Sequence, residues 1–333
     1  MNKLLARIEF TKKKLLFYII GIVVVALMPL FITSTFNRHV LCLILLWSII
    51  GMGWNFIGGY AGQVSIGHSV FYGIGAYSAA IGFYKFNITP WIGIIIGIVI
   101  SVIVASIIGL PLLRLKGHYF AVATMAVGEC CRVVFINWKY VGGSTGVDFL
   151  NRRANMWYSM QFQDKLYYYY LYLVVAVFVL ALVVYLDKSK FGYYLRTIKG
   201  NELAAESVGI DTSKYKSMAY MLSAAIVSLG GSLYAQYMLY VDPPMLMTLQ
   251  ISLMICLVTV MGGIGTVLGP IIGAVVLTFI SQYTRVLAGG TGTGIDQVIY
   301  GVLVIIVVLY LPNGIISLFG KRNITWGKRV SVK

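Results

Sequence analysis

The sequence predicts an all-α polytopic membrane protein with about eight to ten transmembrane helices and both termini in the cytoplasm. Its composition is the first observation behind this fold class. Of 333 residues, 59% are hydrophobic and 11% are charged, with a mean hydropathy of +0.88. A soluble domain carries about 25% charged residues, so this chain has too little charge to solvate an ordinary surface. Water-soluble enzymes, nucleic-acid-binding proteins and disordered scaffolds are thereby disfavoured.

Apolar runs of membrane-spanning length are the second observation. A spanning helix needs about 20 mostly apolar residues. Ten runs approach this requirement: 15–34, 40–58, 64–84, 91–112, 118–137, 166–186, 217–239, 249–262, 266–284 and 297–319. The third run is rich in glycine and the eighth is short, so either could be a broken or re-entrant element. The first run is too long for the core of a secretory signal and is expected to stay as an anchor.

The distribution of basic residues is the third observation. With the N-terminus inside, the inner segments are 1–14, 113–117, 187–216 and the tail 320–333, and they hold 5, 2, 6 and 5 of the 26 Lys and Arg residues. These sum to 18, whereas the outer loops hold seven. This asymmetry agrees with the positive-inside rule. It predicts a cytoplasmic segment 1–14, a transmembrane domain 15–319 and a basic cytoplasmic tail 320–333.

Small residues recur at helical spacing and predict close helix contacts. Lipid provides no hydrophobic drive between helices, so small residues let the backbones approach. The predicted packing residues are Gly93, Gly97, Ser101, Ala105 and Gly109 in the fourth run, with Gly265, Gly269 and Gly273 at the start of the ninth. The four cysteines lie in apolar runs without a zinc-binding spacing, so they are interpreted as packing residues and no metal is expected.

Three ionisable residues fall within the runs, where charge is costly and often functional. Glu129 and Arg132 are three residues apart and therefore neighbours on one helix face. They could line a polar path for a solute, or form a fixed ion pair that locks helices together. His68 could belong to the same path, or could be a hydrogen-bonded packing residue.

The segment 187–216 contains one predicted short helix. Asn201 can cap it, Glu202 suits its first turn and Gly209 can end it. Such a short helix is not stable alone in water. It could rest on the inner membrane surface, or it could dock on a cytosolic partner.

These residues resemble a known family. The matching blocks are 59–68 (GYAGQVSIGH) with Phe71 and 73–77, 117–124 (GHYFAVAT) with Gly128, Glu129 and Arg132, 142–146 (GGSTG), 201–210 (NELAAESVGI), 261–266 (MGGIGT) with Gly269 and Pro270, and 311–314 (LPNG). Together they resemble bacterial branched-chain amino acid permeases of the LivM type, within the LivH/LivM and urea permease superfamily. The resemblance runs from about residue 40 to residue 320.

The resemblance implies the permease fold of an ATP-binding-cassette (ABC) importer in the bacterial cytoplasmic membrane. It implies a homologous second permease, two cytosolic ATPases and an extracytoplasmic binding protein as partners, with branched-chain amino acids (leucine, isoleucine or valine) as substrates. This chain would then be no enzyme and hold no cofactor, with ATP bound on the partners. The resemblance assigns ATPase docking to Glu202, Ala204, Ala205 and Gly209. The translocation path is predicted at Gln63, Ser65, His68, Thr124, Glu129 and Arg132.

Three other functions stay open at this point. An importer of urea or short amides would have closely related permeases. A secondary transporter or channel would leave segment 187–216 without a purpose, and a single intramembrane carboxylate offers little for proton coupling. A membrane enzyme would need a cluster of catalytic side chains, which the sequence does not show. Since the sequence contains no glycine-rich loop ending in Gly-Lys-Ser/Thr, energy has to come from a partner or an ion gradient.

Overall fold

The computed structural model describes most of the chain between residues 21 and 287. The described residues are 21, 23–32, 34–115, 117–150, 156–287, 298, 301–302, 305 and 314–319. The predicted terminal segments 1–14 and 320–333 lie outside them. So do most of the tenth run and residues 311–313 of the last family block. The described part of the first run, residues 23–31, is helical and is called α1.

Long helices dominate the described part. They are α2 (Thr35–Trp54), α3 (Ser69–Phe86), α4 (Pro90–Leu112), α5 (His118–Asn137), α7 (Lys165–Lys188), α10 (Thr212–Met238), α12 (Leu249–Gly262) and α13 (Gly269–Leu287). Shorter helices are α6 (Met156–Ser159), α8 (Lys190–Gly200), α9 (Glu202–Ser207), α11 (Pro243–Leu246) and a final turn at Ile316–Phe319. A π-helical turn, Asn55–Tyr60, extends α2.

Six helices in the described part are long and apolar enough to cross a membrane. They are Thr35–Tyr60, Pro90–Leu112, His118–Asn137, Lys165–Lys188, Thr212–Met238 and Pro243–Gly262. Helices α3 and α13, of 18 and 19 residues, pack beside them within the same bundle. The predicted class, a polytopic helical membrane protein, is confirmed. The sidedness of the termini stays a prediction.

The two irregular runs differ, because the third is broken whereas the eighth is one short helix. In the third run, 64–84, α3 begins only at Ser69 because residues 61–68 follow a non-helical course, which agrees with the expectation of a broken element. The eighth run forms α12, whose 14 residues extend only about 21 Å. The preceding short helix α11 completes this crossing as the segment Pro243–Gly262.

Helix α10 is the centre of the bundle and packs against α2, α3 and α4. The predicted stripe of α4 is buried along its full length. A Cβ at Gly93 would lie 2.9 Å from Ala79 Cα of α3, and one at Gly109 would lie 2.9 Å from the Tyr220 ring of α10. In the ninth run, a Cβ at Gly273 would overlap the Val258 carbonyl of α12. Small residues therefore set the helix spacing at these contacts.

A two-stranded antiparallel sheet closes the far end of α10. Strand β1 (Val147–Asp148) pairs with β2 (Tyr240–Val241), and Val147 lies opposite Val241. The Tyr240 hydroxyl donates to the Thr145 carbonyl at 2.9 Å. This contact holds the Gly-rich block 142–146 at the end of the bundle remote from α8 and α9.

Candidate functional site

The candidate site is centred on the helix break, defined as residues 61–68 between the π-helical turn and α3. Gly62 has a φ of +73°, a conformation that glycine adopts readily. The Gln63 amide donates back to the Ile57 carbonyl at 2.9 Å, which folds the chain beneath the turn. π-helical turns of this kind are frequent at functional sites.

A buried histidine holds the break against α10. His68 is fully buried, with Nδ1 2.9 Å from Ser65 Oγ and Nε2 2.8 Å from Ser223 Oγ. The Phe71 and Tyr220 rings pack edge-on against its imidazole. Because both nitrogens have hydroxyl partners, burial of the neutral imidazole is compensated.

Helix α5 is attached to the same break. The Ile66 amide donates to Thr124 Oγ1 at 3.0 Å, and Thr124 Oγ1 donates to the Ala121 carbonyl at 2.9 Å. A Cβ at Gly67 would overlap the Thr124 carbonyl, so only glycine fits without a shift at this contact. Two blocks of the family resemblance, 59–68 and 117–124, thus meet here.

A third block of the family resemblance, residues 261–266, contacts the π-helical turn at Asn55. Asn55 is fully buried and bonds to the loop between α12 and α13. Its side chain donates to the Thr266 carbonyl and accepts from the Gly265 amide, both at 2.9 Å. Gly265 therefore lies in this loop, outside the helices, with a φ of +76°. Gly269 is the first residue of α13 and approaches the Gly263 carbonyl.

The residues predicted for the path occupy two different environments. Ser65, His68 and Thr124 lie together in the buried polar cluster around the break, whereas Gln63 is partly exposed. Glu129 and Arg132 lie apart from this cluster on the exposed side of α5. The path role of all six residues stays a prediction.

Glu129 and Arg132 form an ion pair within one helix. Arg132 Nε lies 3.1 Å and 3.0 Å from the two Glu129 carboxylate oxygens. The Glu129 side chain is 52% exposed and that of Arg132 is 27% exposed. Both residues belong to α5, and among the described residues neither makes an ion pair with another helix. The two alternatives, a solute path and a pair that locks helices together, stay predictions.

Segment 187–216 is more helical than predicted. Helix α7 continues to Lys188, α10 already begins at Thr212, and α8 and α9 lie between them. We call α8 and α9 together the docking unit, after the role that the family resemblance implies for residues 201–210. As predicted from its sequence, α9 is capped by Asn201, whose side chain accepts from the Ala204 amide at 3.2 Å. Gly209 follows the helix with a φ of +84°.

The docking unit is anchored to α10 on one side and free on the other. Glu202 pairs with Lys216, whose side chain is only 2% exposed, and Thr212 donates to Glu206 at 2.7 Å. Ala205 is buried, whereas Ala204 and Gly209 are exposed. Leu203 and Val208 are also exposed, at 67% and 72%.

Sequence reasoning missed the residues that hold these parts together. Asn55, Ser223 and Lys216 were not singled out, and neither was Lys199, which connects the docking unit to the π-helical turn at Gly59. Buried polar residues within apolar runs were the available signal for Asn55 and Ser223. Among the described residues, no group of three or more His, Cys, Asp or Glu side chains could hold a metal ion.

A glycine-packed helical bundle with an interrupted span and a short helical unit at one end is the architecture of a polytopic membrane protein. The family model for the permease component of branched-chain amino acid transport systems matches residues 38–308. The chain belongs to this family.

Individual permeases of known name are similar to this chain at low sequence identity. The chain is 23% identical to the high-affinity branched-chain amino acid permease LivM of Escherichia coli K12, over 92% of this chain and 76% of that protein. It is 26% identical to the probable permease LivH of Methanocaldococcus jannaschii, over 77% and 81%. A nucleoside ABC transporter permease, NupC of Lactococcus lactis, is 22% identical over 53% and 59%. No solved structure shows a significant match.

Proposed function

We propose that this chain is one permease subunit of an ABC importer that moves branched-chain amino acids across the cytoplasmic membrane. A homologous permease, two cytosolic ATPases and an extracytoplasmic binding protein complete the machine. Leucine, isoleucine and valine are the substrates. Membership of the branched-chain amino acid permease family, over 271 residues from 38 to 308, supports the substrate class.

The exposed side of the docking unit is the observation that carries the ATP-driven mechanism. Leu203 and Val208 present apolar side chains to the outside of α9, beside the exposed Ala204. Leu203, Ala204 and Val208 lie within six positions of one another, and such a neighbouring set of exposed apolar side chains suits a contact with a partner protein. Positive-inside reasoning puts this segment in the cytosol, where an ATPase subunit can bind it.

The exposed side of α5 supports a second permease subunit. In a helix that crosses the membrane, charged side chains nearly always face protein or a water-filled cavity, because contact with lipid is costly. Within the described ranges, Glu129 and Arg132 have only each other as ionic partners. A second permease that covers this side of α5 would enclose the pair and form the opposite wall of a solute path.

Uptake measurements test the proposal. Cells that lack this gene should lose ATP-dependent uptake of labelled leucine and regain it with the wild-type gene, while an ATPase partner with an inactivated nucleotide site should abolish it. Urea and uridine are the comparison solutes, uridine because one relative is a nucleoside permease. Restored uptake of urea or uridine without leucine would refute the substrate, and leucine uptake that survives loss of ATP hydrolysis would refute the mechanism.

A further inference from the structure

Lys199, near the end of α8, connects the docking unit to the membrane-embedded part of the chain. Its Nζ donates to the carbonyl oxygen of Gly59 at 2.7 Å, across 140 positions of sequence. A Cβ added at Gly265 would lie 3.3 Å from Lys199 Nζ and 3.0 Å from the Gly59 oxygen. The docking unit, the π-helical turn and the loop between α12 and α13 therefore meet at one point.

The carbonyl of Gly59, at the end of the π-helical turn, favours a positively charged partner. The last carbonyls of a helix lack helical amides as donors, and the helix dipole adds partial negative charge there. Among the ion pairs of the described residues, none involves Lys199. Partial desolvation lowers the pKa of Lys199 from its usual value, but the residue as a whole is exposed, so the hydrogen bond to Gly59 and not the pKa carries the argument. Among the described residues the Lys199 amine therefore has a backbone carbonyl, and not a carboxylate, as its partner.

The contact continues into the bundle through Asn55, one helical turn before Gly59. Asn55 bonds to both Gly265 and Thr266, and the chain after Gly59 leads directly into the helix break. The Lys199 contact therefore adjoins both the helix break and the loop between α12 and α13. The position of α8 itself depends on other side chains, because Leu195 and Ile198 are buried.

We propose that Lys199 is a positioning residue that transmits displacement of the docking unit to the helix break. The inference rests on the proposed function, in which an ATPase moves that unit. Removing the ammonium leaves α8 packed through Leu195 and Ile198 but disconnects it from Gly59. ATP hydrolysis then continues while less solute is moved for each ATP consumed.

The test uses the complete importer, with both permeases and both ATPases, in proteoliposomes with the binding protein. We compare wild type, Lys199→Met, the conservative Lys199→Arg, and Lys188→Met as a matched loss of an exposed lysine at the end of α7. Lys199→Met should lower the ratio of leucine moved to ATP hydrolysed by about fivefold or more, the lower range of coupling between sites. Lys199→Arg should restore much of the ratio and Lys188→Met should leave it unchanged.

The outcomes separate this inference from the proposed function. A wild-type complex that moves no leucine with ATP refutes the proposed function. A normal ratio in Lys199→Met, or an equal fall in Lys188→Met, overturns the role of Lys199 in a working importer. Failure of Lys199→Met to enter the complex would instead assign the residue to folding and likewise overturn the role.

A covalent replacement of the contact provides an independent readout. A Cβ added at Gly62 would lie 3.5 Å from Lys199 Cβ, within the range of disulfide partners. Because the φ of +73° at Gly62 strains any side chain, the single variant Gly62→Cys is the baseline for the double variant. In the Gly62→Cys/Lys199→Cys variant, oxidation should raise the transport ratio above that of the reduced form, because the bond restores the connection. The single variant Lys199→Cys should not respond to oxidation. No gain on oxidation of the double variant, with the disulfide verified by mass spectrometry, would contradict transmission through this contact.

Discussion

The ion pair between Glu202 and Lys216 offers a quantitative test of how the docking unit is held. The Lys216 side chain is 2% exposed and that of Glu202 is 27% exposed. Glu202→Gln keeps the shape of the side chain but leaves the buried ammonium without a counter-charge. Breaking a buried ion pair costs about 3–5 kcal/mol. Because water still reaches Glu202, we expect about 2 kcal/mol, or about a thirtyfold change in the equilibrium between docked and released α9.

Hydrogen exchange of the α9 amides, residues 202–207, measures this equilibrium in the assembled importer. Glu202→Gln should accelerate their exchange about thirtyfold, whereas Glu202→Gln in a Lys216→Met background should have little further effect, since the charge to be compensated is gone. The comparison isolates the pair from the other effects of each substitution. If Glu202→Gln accelerated exchange equally in both backgrounds, the two residues would not be coupled, and Glu202 would be free to serve as an ATPase contact.

Three other substitutions test separate parts of the structure. Gly75→Ala places a Cβ against a backbone carbonyl of α10 and should lower the melting temperature by several degrees. Gly82→Ala, on the same helix, meets nothing within 4 Å and should be neutral or stabilising. Equal melting temperatures for the two variants would contradict the packing argument. Gly209→Val forces a β-branched residue to a φ of +84°, so leucine uptake should fall while the amount of the protein in the membrane stays normal. Gly209→Asn should be tolerated at this φ. Normal uptake by the valine variant would count against the docking role. Glu129→Ala leaves Arg132 unpaired and should impair leucine uptake or co-purification of the second permease; if both were unchanged, Glu129 would not belong to the path.

Hydropathy predicted the helices well because apolar length is a local property. The run 118–137 coincides with α5, and the run 249–262 coincides with α12. The glycine content of the third run indicates a broken element, but hydropathy does not place the start of α3 after residues 64–68. Their non-helical course depends on Gly62 and on hydrogen bonds to α5 and α10, which hydropathy does not register.

The residues that cap α9 could also be predicted from local sequence, but the side of α9 that is buried could not. Asn201 and Gly209 act where their conformational preferences indicated. The neighbours Ala204 and Ala205 were assigned one role, yet Ala205 is buried and Ala204 is exposed. A six-residue helix contains too few positions to reveal which side is covered. The partner of Lys199 is a backbone carbonyl 140 positions away, and no side-chain pattern marks such an acceptor.

The distribution of hydrogen bonds decides which polar residues can serve a moving solute. The hydrogen bonds of Ser65, His68 and Thr124 are made within the chain, so a solute that used these groups would first have to break bonds that hold the helix break together. Each buried group left unpaired would cost about 1–3 kcal/mol. Glu129 and Arg132 carry polar groups that are still accessible on α5. A path that runs along this side of α5, against a second permease, therefore requires no loss of internal bonds, whereas a path through the interior of one subunit does.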